Sequence, residues 1–137
     1  MVERRLIRFL VPYSRTLYFT DKGRERGIAA DTVRDFEGYI NKKYAKQLHK
    51  RPITVIMIAT TRDKLLSGVR DGLGDVAAGN LTVTEERLQL VDLVSPPDLR
   101  KVSELVISGP ASLRFDSADD LAGTTVHVRK ASSYYES

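Results

Sequence analysis

The sequence has no cysteine and only two histidines, His49 and His127. The absence of thiols excludes disulfide bonds, thiolate metal sites and a cysteine nucleophile. Two histidines are too few for a histidine-rich metal site. We therefore expect no metal and no other cofactor in this chain.

Long apolar runs are missing as well. The longest covers residues 53–59, is interrupted by Thr54 and is far shorter than the roughly 20 residues that span a bilayer. The N-terminal residues include several cations but neither a continuous apolar stretch nor an Ala-x-Ala motif, so they predict a first strand and not a signal peptide. No membrane insertion is expected from this chain.

Length and charge set further limits. The 137 residues, 42% of them apolar, suffice for one compact core or for a piece of a larger unit. Residues 1–51 hold 13 Lys and Arg against 6 Asp and Glu, whereas the remaining 86 residues hold 9 against 12. The basic excess therefore belongs to the first part of the chain.

Within this first part, five basic residues follow one another closely: Lys42, Lys43, Lys46, Lys50 and Arg51. Such a cluster is compatible with a patch that binds nucleic acid or another polyanion. It is also typical of a solvated helix end, where cations offset the partial negative charge of the helix. No nucleic-acid-binding motif or interleaved aromatic pattern accompanies the cluster, so the helix end is favoured and no nucleic-acid partner is expected.

Strand and helix patterns alternate along the first two thirds of the chain. Strands are predicted near residues 5–11, 53–59 and 75–78, and the polar residues 13–26 predict a loop. A helix over 28–48 is predicted by a one-sided apolar stripe made of Ile28, Val33, Phe36, Ile40 and Tyr44. A helix over 62–73, capped by Thr60 or Thr61, would bury Leu65, Leu66, Val69 and Leu73. Right-handed crossovers then predict one parallel sheet with the strand order second, first, third.

The pattern changes after Ser95. Pro96 and Pro97 forbid a central strand and predict a hinge or domain edge. Further strands are predicted over 102–108 and 125–128, with a short helical turn over 117–121. The whole chain therefore predicts an α/β fold with a mostly parallel sheet and flanking helices.

Ligands of such sheets bind at the carboxyl ends of the strands, which selects residues 12–15, 59–62, 79–87 and 129–134. The segment 79–87 combines a turn, a threonine hydroxyl and an arginine, which suit a ligand with both an ammonium and a carboxylate group. The alternative is that Thr82 or Thr84 only caps a short helix while Arg87 pairs with Glu85, Glu86 or Asp92. Both interpretations remain open from the residues alone.

Motifs of catalysis are not found. Glu85 and Glu86 are adjacent on a predicted helix and point about 100° apart, so they cannot flank one bond as an acid/base pair. Neither a glycine-rich phosphate loop nor a Gly-x-Ser-x-Gly motif occurs. This chain is therefore not expected to be an enzyme.

Several segments together resemble the type II periplasmic solute-binding proteins, and more narrowly the solute-binding domain of the membrane-bound lytic murein transglycosylase F group. They are LVPYSR at 10–15, GIAAD at 27–31, LLSG at 65–68, GDVAAG at 74–79, TVTEER at 82–87, VDLV at 91–94, LAGTTVHV at 121–128 and KASSY at 130–134. The resemblance implies two α/β lobes around a cleft, a periplasmic location and a small ligand such as an amino acid or a peptidoglycan-derived peptide.

The resemblance also implies a domain plan. Residues 1–94 would form lobe one, 95–101 the hinge crossing and 102–137 the start of a truncated lobe two. A longer parent protein would supply the rest of lobe two and could carry a covalently linked C-terminal lytic transglycosylase domain. A basic α/β domain that binds nucleic acid or protein is the alternative function.

Ligand-binding roles follow from the resemblance residue by residue. Arg87 would grip the α-carboxylate of the ligand, with Asn80 and Thr82 from the preceding turn beside it. Ser132 and Ser133 would contribute from lobe two, although Ala131 replaces the usual glycine there and makes that turn less permissive. Tyr13 would cover the ligand, or else pack partly into the core. Thr60, at the end of the second strand, completes the expected set.

Overall fold

The structure, a computed structural model, describes residues 4–95, 103, 105–110 and 115–136. It divides into two compact units, Met1–Leu93 and Val94–Ser137. Apart from Ser95, the predicted hinge at 95–101 lies outside the described residues. The assignment of these parts of the chain to two lobes of a binding protein stays a prediction.

Strands and helices alternate in the first unit. In chain order they are strands β1 (Leu6–Pro12), β2 (Phe19–Asp21) and β3 (Arg24–Arg26), helices α1 (Ile28–Lys43) and α2 (Ala45–Leu48), strand β4 (Thr54–Thr60), a 3₁₀ turn (Arg62–Lys64), helix α3 (Leu65–Arg70), strand β5 (Val76–Ala77) and helix α4 (Glu85–Leu88). In the second unit, a 3₁₀ turn (Asp119–Leu121) precedes helix α5 (Ser133–Glu136).

The central sheet has the order β4-β1-β5, and both of its strand pairs are parallel. β1 pairs with β4 along its whole length, from Leu6 opposite Thr54 to Pro12 opposite Thr60. β5 joins the other edge of β1 only where Phe9 faces Val76 and Leu10 faces Ala77. The predicted parallel sheet with the order second, first, third is confirmed.

The main core lies between one face of the sheet and α1. Alternate residues of β1 point into it, and Ile7 and Val11 are fully buried there. From α1, Val33 is fully buried and the ring of Phe36 lies 5.4 Å from that of Phe9. The predicted helix stripe is therefore confirmed along most of α1, but the single helix predicted over 28–48 was wrong, because α1 ends at Lys43 and α2 is a separate helix.

The first residue of that stripe is an exception. Ile28 is 56% exposed, while Ala29 and Ala30 take the buried positions at the start of α1. Because successive helical residues are rotated by about 100°, Ile28 lies roughly 200° around the helix from Ala30 and points away from the sheet. Its predicted burial was wrong.

The loop predicted over residues 13–26 was also wrong in part, because β2 and β3 form an antiparallel hairpin there. Lys22 and Gly23 connect the two strands with φ angles of 48° and 77°. Two central residues with positive φ are the requirement of a type I′ hairpin turn, which follows the natural twist of the strands. The Lys-Gly pair at this turn was the signal for the hairpin.

The helix predicted over 62–73 is shorter than expected. It begins as a 3₁₀ turn after Thr61, continues as α3 and ends at Arg70. Gly72 then adopts a φ of 75° and turns the chain away. As a result Leu65 is fully buried, but Leu73 is 64% exposed and the prediction that it is buried was wrong.

In the second unit, the helical turn predicted over 117–121 is confirmed in position by the 3₁₀ turn. The strand predicted over 125–128 was wrong, since these residues are irregular. Residues 105–108 are irregular too, whereas 102 and 104 lie outside the described residues. A strand needs a neighbour that accepts and donates its backbone hydrogen bonds, and a favourable local sequence does not supply one.

Side chains of α1 close the first half of the outer edge of β4. The side-chain amide of Asn41 accepts from the N–H of Ile53 at 2.7 Å and donates to the carbonyl oxygen of the same residue at 2.8 Å. The carboxylate of Glu37 accepts from the N–H of Val55 at 2.6 Å, and Arg34 donates to the Val55 carbonyl at 3.0 Å. The helix thus provides the hydrogen bonds that a further strand would otherwise make.

The opposite side of the sheet is fixed by an ion pair between β1 and the start of β5. The guanidinium of Arg8 donates twice to the carboxylate of Asp75, at 3.1 and 3.0 Å, and the Arg8 backbone N–H donates to it at 2.8 Å. The Asp75 backbone N–H in turn donates to the Arg8 carbonyl at 2.8 Å. The side-chain hydrogen bonds from Arg8, and then its backbone N–H, hold the pKa of Asp75 below its usual value.

Replacement of Asp75 by asparagine should make the contribution of this ion pair to stability visible. Because the pKa of Asp75 in the fold is lower than its ordinary value of about 4, its stabilising effect is complete above that ordinary value. The effect disappears as the pH falls through the lower folded value. Urea unfolding should therefore show that Asp75→Asn is less stable than the wild type at neutral pH, and that the difference shrinks in acid.

Asp71→Asn is the matched control for this experiment. The pKa of Asp71 is also lowered, by hydrogen bonding to Arg70, but the two side chains are 50% and 53% exposed. Solvent screens such a pair, so this variant should show a smaller pH-dependent difference. A stability loss in Asp75→Asn that stays constant from neutral to acidic pH would contradict the assignment.

Asn41→Ala tests the closure of the β4 edge. The substitution removes the partner of both the N–H and the carbonyl oxygen of Ile53, so we expect the free energy of unfolding to fall by about 1 to 2 kcal/mol. Gln47→Ala, which removes an exposed amide from α2, should change it by less than about 0.5 kcal/mol. Chemical denaturation of both variants measures the comparison, and equal effects would argue against a sealed edge.

Candidate functional site

The carboxyl ends of β1, β4 and β5 meet at one edge of the sheet. The N–H of Tyr13, directly after β1, donates to the carbonyl oxygen of Thr60 at 3.0 Å. The N–H of Ala78, directly after β5, donates to the carbonyl oxygen of Leu10 at 3.0 Å. The loops that follow the three strands are therefore neighbours, as the sequence-based rule for such sheets predicts.

The turn after β5 is fixed by its first two residues. Gly79 is buried, and a Cβ atom at this position would lie 2.9 Å from Leu65 and 3.2 Å from Pro12. Asn80 has a φ of 49°, in the left-handed region that asparagine tolerates better than most residues. The close approach of Gly79 and the left-handed Asn80 together direct the chain over the edge of the sheet.

The following helix, α4, is capped by Thr84. This residue has an extended backbone, and its hydroxyl accepts from the N–H of Arg87 at 3.4 Å. Glu85 and Glu86 occupy the first turn, next to the positive end of the helix. Of the two threonines considered from the sequence, Thr84 is the cap, whereas Thr82 contributes its carbonyl oxygen to the site.

Arg87 is the most unusual side chain of the first unit. It is only 6% exposed, and within the described part of the chain it is the one charged residue in the buried class. Its Nη1 atom donates to the carbonyl oxygen of Thr82 at 3.1 Å. Burial of a guanidinium is costly unless hydrogen bonds or an opposite charge compensate for it, so the buried position of Arg87 at the carboxyl edge of the sheet makes it a candidate functional residue.

Pairing of Arg87 with a nearby carboxylate stays an alternative. Glu85, Glu86 and Asp92 are all exposed. An ion pair to an exposed carboxylate contributes at most about 1 kcal/mol to stability.

Tyr13 does not pack into the core. Its side chain is 72% exposed at the end of β1, which contradicts the interpretation as a partly buried core residue. Such an exposed ring offers an apolar face with a polar hydroxyl at its end, a combination common in binding sites.

The segment 59–62, selected from the sequence, contains Arg62, but this residue was not among the predicted ligand-binding residues. This residue begins the 3₁₀ turn after β4, and its Nη1 atom lies 3.4 Å from the carbonyl oxygen of Asn80. Arg62 and Arg87 thus reach carbonyl oxygens only two residues apart, which an extended chain separates by at most about 7 Å. Its position directly after the carboxyl end of a predicted strand was the sequence feature that could have identified it.

Ser132 and Ser133 belong to the second unit. The hydroxyl of Ser132 donates to the carbonyl oxygen of Arg129 at 2.6 Å, and Ser133 begins α5. Their participation in a common site with Arg87 stays a prediction. The site residues that the structure brings to one edge are Tyr13, Thr60, Asn80, Thr82 and Arg87.

Across residues 4–95, 103, 105–110 and 115–136, no group of three His, Asp or Glu side chains is arranged to hold a metal ion. Over the same ranges, no helix has both the length and the apolar character needed to cross a bilayer.

Comparison with protein-family models gives no match, and comparison with curated proteins gives none either. Among solved structures, the chain is similar to an ancestral cationic amino acid solute-binding protein, with 24% identity and a TM-score of 0.42 over 64% of this chain and 34% of that one. It is also similar to an ancestral cyclohexadienyl dehydratase, with 27% identity and a TM-score of 0.40 over 64% of this chain and 32% of the other. The chain spans about a third of the length of either protein.

Substitutions of Asn80 test whether its positive φ constrains the turn. Asn80→Ala should lower the free energy of unfolding by about 1 kcal/mol, because alanine is strained in the left-handed region. Asn80→Gly should leave stability unchanged or raise it slightly, since glycine adopts this conformation freely. Thermal unfolding measures both variants, and equal stability of the alanine and glycine variants would show that the positive φ is not a constraint.

Proposed function

We propose that this chain belongs to a solute-binding domain of the type II periplasmic class, which recognises a small ligand that carries a carboxylate group. The observation that carries the proposal is the burial of Arg87 at the edge where three parallel strands end. A guanidinium offers a planar fork of N–H donors that matches the two oxygens of a carboxylate. Because the site is partly desolvated, this charge-assisted contact is stronger there than in bulk water.

The residues around Arg87 suggest how the rest of the ligand is held. The carbonyl oxygens of the turn at Asn80 and Thr82 can accept hydrogen bonds from an ammonium group. The exposed ring of Tyr13 can cover the apolar part of the ligand, and Thr60 supplies a hydroxyl beside it. An amino acid or a short peptide combines all of these features.

The wider context is part of the proposal. The resemblance of the segments at 74–79 and 82–87 supports a periplasmic location and a relation to the transglycosylase F group. In that setting Ser132 and Ser133 would complete the carboxylate site from a second lobe. The ligand would then be an amino acid or a peptide released from the cell wall, and catalysis would belong to a linked domain.

We further propose that the chain binds its ligand without transforming it. Glu85 and Glu86 are exposed and adjacent on α4, so they do not form a pair of carboxylates around one bond. Mass spectrometry of a ligand after prolonged incubation should recover it unchanged. Conversion of the ligand that is lost on substitution of a single carboxylate would contradict this part of the proposal.

A thermal-shift screen is the first test of binding. The chain, and a longer form that contains a complete second lobe, should be screened against free amino acids and peptidoglycan-derived peptides. A ligand that binds only the folded state raises the melting temperature in proportion to the logarithm of its concentration. Esters of the same compounds, which lack the free carboxylate, serve as controls and should have no effect.

Arg87→Ala is the decisive substitution for the ligand found in this screen. Loss of a bidentate, charge-assisted contact should weaken binding by about 2 to 4 kcal/mol, which corresponds to roughly 30- to 1000-fold in affinity. Arg87→Lys should recover only part of the affinity, because an ammonium cannot reproduce the planar fork. Isothermal titration calorimetry measures all three proteins.

Arg70→Ala is the matched control. It also removes a guanidinium, but from an exposed position at the end of α3 where Arg70 pairs with Asp71. Its affinity should equal that of the wild type. Equal affinities for the wild type, Arg87→Ala and Arg87→Lys would remove Arg87 from the site and overturn the proposal.

A further inference from the structure

Five cations lie close together in the sequence, at the end of α1, in α2 and directly after it, and we call them the basic end: Lys42, Lys43, Lys46, Lys50 and Arg51. All five residues are exposed. No Asp or Glu occurs in the sequence between Glu37 and Asp63, so no neighbour along the chain neutralises them. The basic end is therefore a local concentration of positive charge on a protein whose net charge is only +4.

Contacts inside the protein do not account for this charge. Among the described residues, no ion pair or hydrogen bond engages the side-chain cations of Lys42, Lys46, Lys50 and Arg51. A helix end explains Lys42 and Lys43, because cations in the last turn of α1 offset its partial negative charge. That effect fades within the last turn, so it does not explain Lys50 and Arg51, which follow the end of α2 at Leu48.

The basic end is held at a defined place on the fold. The Nη1 atom of Arg5, just before β1, donates to the carbonyl oxygens of Leu48 at 2.8 Å and of Arg51. This contact ties the segment after α2 to the amino-terminal edge of the parallel sheet. The candidate ligand site lies at the carboxyl edge, so a partner on the basic end leaves the ligand site accessible.

The chemistry of the basic end favours a diffuse anionic surface over nucleic acid. Four of its five cations are lysines, which act as point charges and lack the fork with which arginine grips individual phosphates. The aromatic rings of the neighbouring tyrosines already contact a cation of the protein itself. The ammonium group of Lys43 lies 5.5 Å from the ring of Tyr39 and 5.7 Å from that of Tyr44. Bases need such aromatic faces for stacking.

We infer that the basic end docks this domain on the surface of an anionic phospholipid bilayer. Clusters of four to eight Lys or Arg residues at a surface are attracted by anionic headgroups. The lysine side chains reach the headgroups while their alkyl stems remain along the protein. Such docking is peripheral, and it would orient the carboxyl edge of the sheet away from the bilayer.

Vesicle co-sedimentation tests this inference directly on the chain. The wild type should bind vesicles made of phosphatidylglycerol and phosphatidylcholine in equal parts, but not vesicles of phosphatidylcholine alone. Each lysine near an anionic surface contributes roughly fivefold in affinity. The triple variant Lys42→Gln, Lys46→Gln, Lys50→Gln should therefore bind on the order of 100-fold more weakly. Raising the salt concentration should weaken wild-type binding, because ions screen exposed charges.

The control is a second triple variant with the same loss of net charge, namely Lys22→Gln, Arg24→Gln, Lys64→Gln. All three of its positions are exposed and lie outside the basic end. It should bind the anionic vesicles as the wild type does, and a cooperative thermal unfolding transition should show that both variants are folded. Equal weakening in the two variants, or wild-type binding that is independent of salt, would overturn the inference. Binding to a DNA or RNA oligonucleotide without binding to the vesicles would overturn it in favour of nucleic acid.

Discussion

β1 is the element on which the rest of the first unit depends, because it is paired along both of its edges. β4 follows it for its entire length, and the bidentate contact between Arg8 and Asp75 holds the start of β5 against its other side. This arrangement determines which residues of β1 face the core. It also brings the carboxyl ends of the three strands to one edge of the sheet, so the loops that follow them are neighbours there.

Two opposing effects act on Arg87 in the candidate site, namely the cost of its burial and the contacts that hold it in place. Burial of Arg87 costs solvation energy, whereas its hydrogen bond to Thr82 and the cap at Thr84 hold it in a defined position. A charged group that is positioned in advance loses less entropy when a ligand binds than a mobile surface side chain does. Gly79 and Asn80 also position the site in advance, because they fix the turn that carries the carbonyl oxygens of Asn80 and Thr82.

Periodicity and strand-end rules were enough to predict the parallel sheet, most of the α1 stripe and the edge that gathers Asn80, Thr82 and Arg87. They failed where the local structure depends on residues that are distant in the sequence but close in space. The residues around Val126 have the composition of a strand, yet strand formation depends on a partner that local sequence does not encode. The hairpin at Lys22 was missed because its turn chemistry was not recognised, and Arg62 because its contact with Asn80 crosses from one loop to another.

The closed edge of β4 also bears on how the protein behaves in a crowded solution. Unpaired strand edges act as templates on which other chains assemble into aggregates. An incoming strand at β4 would first have to displace the side chains of Glu37 and Asn41 from the backbone of Val55 and Ile53. The helix that packs the core therefore also hinders the addition of a strand along the first half of β4.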